Sequence, residues 1–154
     1  MGGDPPGNLA SQGALAALVD TNVLVRYLTG DPPSQASAAD AFLRSTRDLL
    51  VPDLVFAEVV YVLSSFYGFA RDEVAERMRA ALSFSGLVFI DRNLLSRSLE
   101  IYEKDRLDYA ESYLVALAEA TGVGQIASFD KAIDKIGTVR RLEPKRPRGA
   151  ANGS

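Results

Sequence analysis

The chain contains no histidine and no cysteine. The first absence removes every imidazole base, every Ser-His or Cys-His nucleophile pair and every imidazole metal ligand. The second removes disulfides, thiolate metal sites and cysteine nucleophiles. No apolar run approaches the roughly 20 residues of a membrane-crossing helix. The N-terminus lacks a basic stretch followed by an apolar one, so no secretory route is expected and the expected compartment is the cytoplasm. An excess of positive charge is lacking too: 17 Lys and Arg face 20 Asp and Glu, a net charge of −3. What is present is ordinary. The 154 residues suit one domain, and 47% hydrophobic with 24% charged residues is a globular balance. Any catalysis must rest mostly on carboxylates, which favour hard cations such as Mg²⁺ or Mn²⁺.

Charge is unevenly spread. From residue 138 onward Arg140, Arg141, Lys145, Arg146 and Arg148 face the single acid Glu143, so this end carries +4 and the remainder −7. A basic end on an acidic body can attract phosphate, or only keep the chain soluble. Residues 1–13 are rich in Gly, Pro and polar side chains without periodicity, and a flexible extension is expected there. A flexible basic tail is expected over 145–154, with one folded domain over 14–144.

Within that domain short apolar runs alternate with amphipathic stretches. Residues 14–19 form an apolar run ending at Asp20. Val23, Leu24, Tyr27 and Leu28 then recur at helical spacing up to Gly30. Pro33 suits the start of a second helix with Ala36, Ala39, Phe42 and Leu43 on its apolar side. Residues 49–51 suit a strand, after which Pro52 and Asp53 open a strongly apolar helix running to about Tyr67 and stopped by Gly68. Val74, Met78, Ala81 and Leu82 mark another helix. Residues 87–90 are apolar throughout, as a central parallel strand should be. Helices over 94–103 and 109–120, a strand over 125–128, a short helix over 130–136 and a strand over 139–142 complete the series. Strands alternating with helices predict a three-layer α/β/α sandwich around a mostly parallel sheet. Such sheets bind ligands outside the carboxyl ends of their strands, so the acids just after strands are the candidates.

Asp20-Thr21-Asn22 follows the first strand. Asp is a favoured N-cap, which explains the residue by itself. A carboxylate at the tip of a buried strand is also where a metal would sit, with Asn22 to orient it. Glu58 has a weaker structural explanation. Its neighbours one turn away are Leu54, Val55, Tyr61 and Val62, so its carboxylate is expected to be buried or half-buried. Burying a charge unpaired costs on the order of several kcal/mol, which Arg26 or a bound cation would offset. Asp108 and Glu111 form an acidic variant of the capping box ahead of Tyr113, Leu114, Leu117 and Ala118. Asp130, in Ser128-Phe129-Asp130, closes a strand and opens a short helix. Asp91 reads as a cap and Asp134 as part of a solvated face. Each acid has a local explanation, and the set has one as well. Three or four converging carboxylates repel one another, and a divalent cation relieves that repulsion. One or two Mg²⁺ or Mn²⁺ held in this way would activate water for in-line attack on phosphorus without His or Cys.

The order of these residues resembles the PIN-domain family, especially VapC-type toxins of bacterial toxin–antitoxin pairs. Val19-Asp20-Thr21-Asn22-Val23-Leu24-Val25-Arg26-Tyr27-Leu28 looks like the opening of such a domain. Ala57-Glu58-Val59-Val60-Tyr61-Val62-Leu63 looks like its lone Glu in an apolar helix. Asp108-Tyr109-Ala110-Glu111 leads into an Ala-rich helix, and Ala127-Ser128-Phe129-Asp130 is similar to its strand ending in Thr/Ser-x-Asp. The likeness covers about residues 16–144. It implies a Mg²⁺- or Mn²⁺-dependent endoribonuclease that leaves a 5′-phosphate and a 3′-hydroxyl. It further implies Asp20, Glu58, Glu111 and Asp130 as catalytic acids, with Asp20, Asp108, Glu111 and Asp130 toward the metal. Thr21, Asn22 and Ser128 would support them, and Arg26 would face the substrate. Many relatives have Asp where Glu111 stands, so Asp108 or Glu111 is the third acid. A homodimer and a cognate antitoxin, often offering an Arg to the acids, are implied as partners beside RNA, with no membrane. The acidic body is unusual for an RNA binder, so Arg26, Arg92, Arg97, Lys104 and the basic tail are expected along the approach. Two other readings stay open: a catalytically weakened module acting through RNA or antitoxin binding, and another metal-dependent phosphohydrolase.

Overall fold

The computed structural model describes residues 8, 9 and 13–149. Three short strands, β1 (Ala17–Leu18), β2 (Leu49–Leu50) and β3 (Leu87–Val88), pair in that order and all run parallel. Ala17 stands opposite Leu49, and Leu49 opposite Leu87. β4 (Gln125–Ala127) and β5 (Arg140–Leu142) form a second parallel ladder with Ile126 opposite Arg141. The helices are α1 (Thr21–Thr29), α2 (Pro33–Ser45), α3 (Asp53–Tyr61), α4 (Arg71–Leu82), α5 (Arg92–Glu100) and α6 (Tyr109–Thr121). This is the expected three-layer α/β/α architecture with parallel strands. The ladder hydrogen bonds fall into a three-stranded and a two-stranded piece.

Local chemistry sets the element ends. Gly30, at φ 72°, closes α1 in the left-handed conformation that glycine adopts without Cβ strain, and donates its N–H to Arg26 O. Pro33 occupies the first turn of α2, where a missing N–H costs nothing. The helix expected to run to Tyr67 changes pitch at Val62: Val62–Phe66 is a π-helical turn. α5 ends in the same way, in the π-helical turn Ile101–Asp105, followed by Arg106 in the left-handed region at φ 59°. Such turns are rare and often sit at functional sites. The second one feeds directly into Asp108.

Two apolar clusters fill the interior. The first joins Val19, Leu24, Leu49, Val51, Phe56, Val59, Leu87 and Phe89 with buried residues of α4 and α5. The second joins Ile101, Leu107, Val115, Ala116, Ile126, Ile133 and Ile136. The division follows the two ladders: Val19 after β1, with β2 and β3, belongs to the first cluster, and β4 to the second. Tyr113 of α6 packs against both.

The N-terminal extension is not free throughout. Asn8 bridges to Phe89 in parallel pairing, and Leu9 N donates to Phe89 O at 2.7 Å. Asn8 Oδ1 accepts from Arg92 N at 2.8 Å, giving one orphan N–H at the start of α5 an acceptor. Extended backbone on an otherwise open strand edge gains the hydrogen bonds that a flexible segment lacks. The rest of the expected extension (1–7 and 10–12) and residues 150–154 of the expected tail lie outside the described residues. Among the described residues no helix is long and apolar enough to cross a membrane.

Candidate active site

An aspartate follows each of the first four strands within three residues: Asp20 after β1, Asp53 after β2, Asp91 after β3 and Asp130 after β4. All four open helices. Asp20 Oδ1 accepts from Thr21 N at 2.7 Å, Asp91 Oδ1 from Leu94 N at 3.1 Å, and Asp130 Oδ1 from Ala132 N at 2.9 Å. The capping expected of these three residues is therefore present. Capping consumes one oxygen of each and leaves the second carboxylate oxygen to other partners.

Asp20 and Glu58 are joined through Thr21. Thr21 is buried, donates its backbone N–H to Asp20 and donates Oγ1 to Glu58 Oε2 at 2.6 Å. Glu58 itself is exposed, which corrects the expectation of a buried charge. Two of the four apolar neighbours that suggested burial are themselves in solvent, Leu54 at 72% and Tyr61 at 69% exposed, while Val55 and Val62 are half-buried against the core. The face of α3 that packs inward carries Phe56, Val59 and Val60 instead. Arg26 does not neutralise Glu58, because its Nε donates to Gln35 Oε1 at 2.8 Å. Asn22 and Arg26 together line a hollow of about 310 Å³ against α2.

Glu111 and Asp130 form the second pair. Their carboxyl groups lie within hydrogen-bonding range. Partial burial, followed by the contact with Asp130 and the charge of Asp108, pushes Glu111 up to about 7. Asp130 moves the other way, held below the usual carboxylate range by its contact with Glu111 and by the Ala132 N–H. Opposite shifts within one pair are those of two carboxyl groups that titrate together with one proton between them. Ser128 supports the pair from the strand: Asp130 N donates to Ser128 Oγ at 3.0 Å. The exposed acid Asp134 is not free of the fold, since Arg141 holds it and also donates to Ser128 O at 3.0 Å.

Asp108 is the backbone N-cap of α6, but its side chain makes no capping bond, so the expected capping box is absent. Asp108 lines a cavity of about 620 Å³ with Tyr61, Ser64, Arg71, Tyr102 and Tyr109. Arg71 fixes this wall. Its Nη1 donates to Tyr102 O at 3.0 Å and to Leu107 O at 2.7 Å, spanning the left-handed turn at Arg106. Of the expected approach cations, Arg97 is committed to Glu119 and Glu100.

Among the described residues no group of three or more Asp and Glu stands ready to hold a metal. The expected convergence of three or four carboxylates is therefore corrected to two pairs. Thr21 draws Glu58 toward Asp20, and Asp130 holds Glu111. The donors nonetheless fit a hard divalent cation. All are oxygens, and Mg²⁺ commonly takes one or two carboxylates and completes its shell with water and phosphate. A proton shared between two carboxyl groups is also what such a cation displaces.

Asp53, which by sequence only opens α3, makes a bond that local pattern does not encode. Its Oδ2 accepts from Tyr113 Oη at 2.6 Å, and its Oδ1 is buried with no hydrogen-bond partner. The signal available was its place after β2, matching Asp20, Asp91 and Asp130.

The family model of the PIN domain matches residues 17–139, a span that contains Asp20, Glu58, Glu111 and Asp130. The chain belongs to the PIN domain family. It is also similar to a VapC ribonuclease of Aquifex aeolicus (strain VF5), with 23% identity over 123 residues that cover 78% of this chain and 91% of that protein. The PIN domain match encloses both carboxylate pairs as well as Asp53, Asp108 and Tyr113. β5 and the docked Asn8 and Leu9 lie beyond it.

Proposed function

We propose that this PIN domain is a metal-dependent endoribonuclease, the toxin of a toxin–antitoxin pair. The observation that carries the reading is the contact between Glu111 and Asp130 at the end of β4, with Asp20 and Glu58 joined by Thr21 at the end of β1. The similarity to a VapC ribonuclease supports RNA as the substrate class. Glu111, Asp130 and Asp20 would hold Mg²⁺ or Mn²⁺, with Glu58 keeping Thr21 and Asp20 in place. The bound cation supplies activated water for attack on phosphorus and neutralises charge on the phosphate. Asp108 lies within charge range of Glu111 but opens on the neighbouring cavity, which favours Glu111 as the third acid. A homodimer, a cognate antitoxin that covers the acids with a cationic group, and a cytoplasmic location belong to the same reading.

The test is cleavage of a labelled mixed-sequence RNA and its DNA counterpart in Mg²⁺, Mn²⁺ or EDTA. Metal-dependent cutting of RNA is expected, leaving 5′-phosphate ends. Asp20→Asn is expected to lose at least about 100-fold in rate while keeping its thermal midpoint. Equal cutting by Asp20→Asn would remove that residue from the site. Equal cutting of DNA would replace the ribonuclease by a broader phosphodiesterase.

A further inference from the structure

The two carboxylate pairs belong to different halves of the molecule. Asp20, the N-cap of α1 just after β1, and Glu58 on α3 stand over the first apolar cluster. Glu111 and Asp130 stand on α6 and after β4, over the second. The two halves do not share a ladder, so sheet hydrogen bonding does not fix their spacing. Tyr113 sits at the seam, packed against both clusters, two residues beyond Glu111 on α6. Its hydroxyl donates across the seam to Asp53 Oδ2 at 2.6 Å. Asp53 lies on α3, five residues before Glu58. A hydroxyl–carboxylate bond of that length is charge-assisted and geometrically strict. The other oxygen of Asp53 is buried without a partner, an arrangement that does not favour a purely structural carboxylate.

We propose that Tyr113 and Asp53 brace α6 to α3 and so set the separation of the two carboxylate pairs, which makes both positioning residues of the site. This rests on the nuclease reading for its consequence in catalysis. A brace of this kind acts on the distance between ligands, so its loss weakens the cation and leaves the chemistry intact once the cation is saturating.

The experiment compares wild type, Tyr113→Phe, Asp53→Asn and the double variant, all as the full chain. Mn²⁺ affinity is measured by calorimetry without RNA, and RNA cleavage is titrated with Mn²⁺. Tyr113→Phe keeps the ring in the seam and removes only the donor; Asp53→Asn keeps an acceptor and removes the charge. Each single variant is expected to bind Mn²⁺ about tenfold more weakly. The metal midpoint for cleavage should shift by the same factor, with kcat at saturating Mn²⁺ kept within about threefold. The double variant should be no worse than the weaker single one, because both remove one interaction. Unchanged Mn²⁺ affinity in both single variants, or effects that simply add, would overturn the brace. If wild type binds Mn²⁺ but cuts no RNA, the nuclease reading falls and the brace is judged on affinity alone. If wild type cuts and the variants bind Mn²⁺ as tightly as it does, the brace falls alone. A wild type that binds no Mn²⁺ removes the brace's role.

Discussion

A carboxyl group that is partly buried, with a second carboxylate beside it, keeps its proton to higher pH. Glu111 rises from an ordinary 4.5 to about 7, so the folded chain binds this proton more tightly than the unfolded chain does. The resulting stability is complete below about pH 4.5 and is lost as pH rises through about 7. Asp130 acts in the opposite sense: its lowered value contributes stability above its ordinary range near 3.8, which is lost in stronger acid. In EDTA, the thermal midpoint is therefore expected to fall between about pH 4.5 and 7, and Glu111→Gln is expected to flatten that slope. A cation reverses the balance because it needs the ionised pair. Mn²⁺ should raise the midpoint most above about pH 7 and progressively less below it. A Mn²⁺ effect independent of pH would place the cation elsewhere.

At the scale of elements, the site depends on how helices end. The π-helical turn after α5 and the left-handed Arg106 would let the start of α6 drift if they were unsupported. Arg71 prevents this by bonding two carbonyls on either side of the turn while lying over the Tyr102 ring, 4.6 Å from its centre. Arg71→Met keeps the aliphatic stem and loses both bonds, and is expected to cost about 1–3 kcal/mol in denaturant unfolding. Amide exchange should rise at residues 106–109 first. Gly86 tests the other side of the fold. A Cβ there would lie 2.9 Å from Thr46 O, a backbone atom that cannot swing away. Gly86→Ala is expected to destabilise the chain by about 1–3 kcal/mol by pushing the start of β3 off β2, which urea unfolding would read.

For the whole molecule, the outer face of α3 is the feature that most needs a partner. Leu54, Glu58 and Tyr61 follow one another at helical spacing in solvent, and Phe66 in the adjoining π turn is 80% exposed. Apolar side chains grouped in this way mark contact surfaces. If the chain pairs with itself there, Tyr61→Lys with Phe66→Glu should convert a dimer to a monomer in light scattering, with an unchanged thermal midpoint per protomer. A dimer that persists would move the contact to another face. The same exposure leaves Glu58 in solvent although its neighbours one turn away are apolar. Helical spacing reports which residues share a face, and that face of α3 points outward.

The sequence alone determined the alternation of strands and helices, because side-chain period, Gly and Pro act over a few residues. Asp20 and Asp130 were legible as strand-end acids for the same reason, as were the cap at Gly30 and the helix start at Pro33. The family resemblance was legible from the order of the motifs. Tertiary structure decided everything that depends on which faces meet. It exposed Glu58, placed Glu111 against Asp130, and turned Asp108 toward a neighbouring cavity in place of a capping bond. It docked Asn8 on the edge of β3 and brought Tyr113 to Asp53 across 60 residues of chain. No local pattern encodes such contacts. They form only when two apolar clusters pack, and packing fixes the spacing of charges that the sequence can only name.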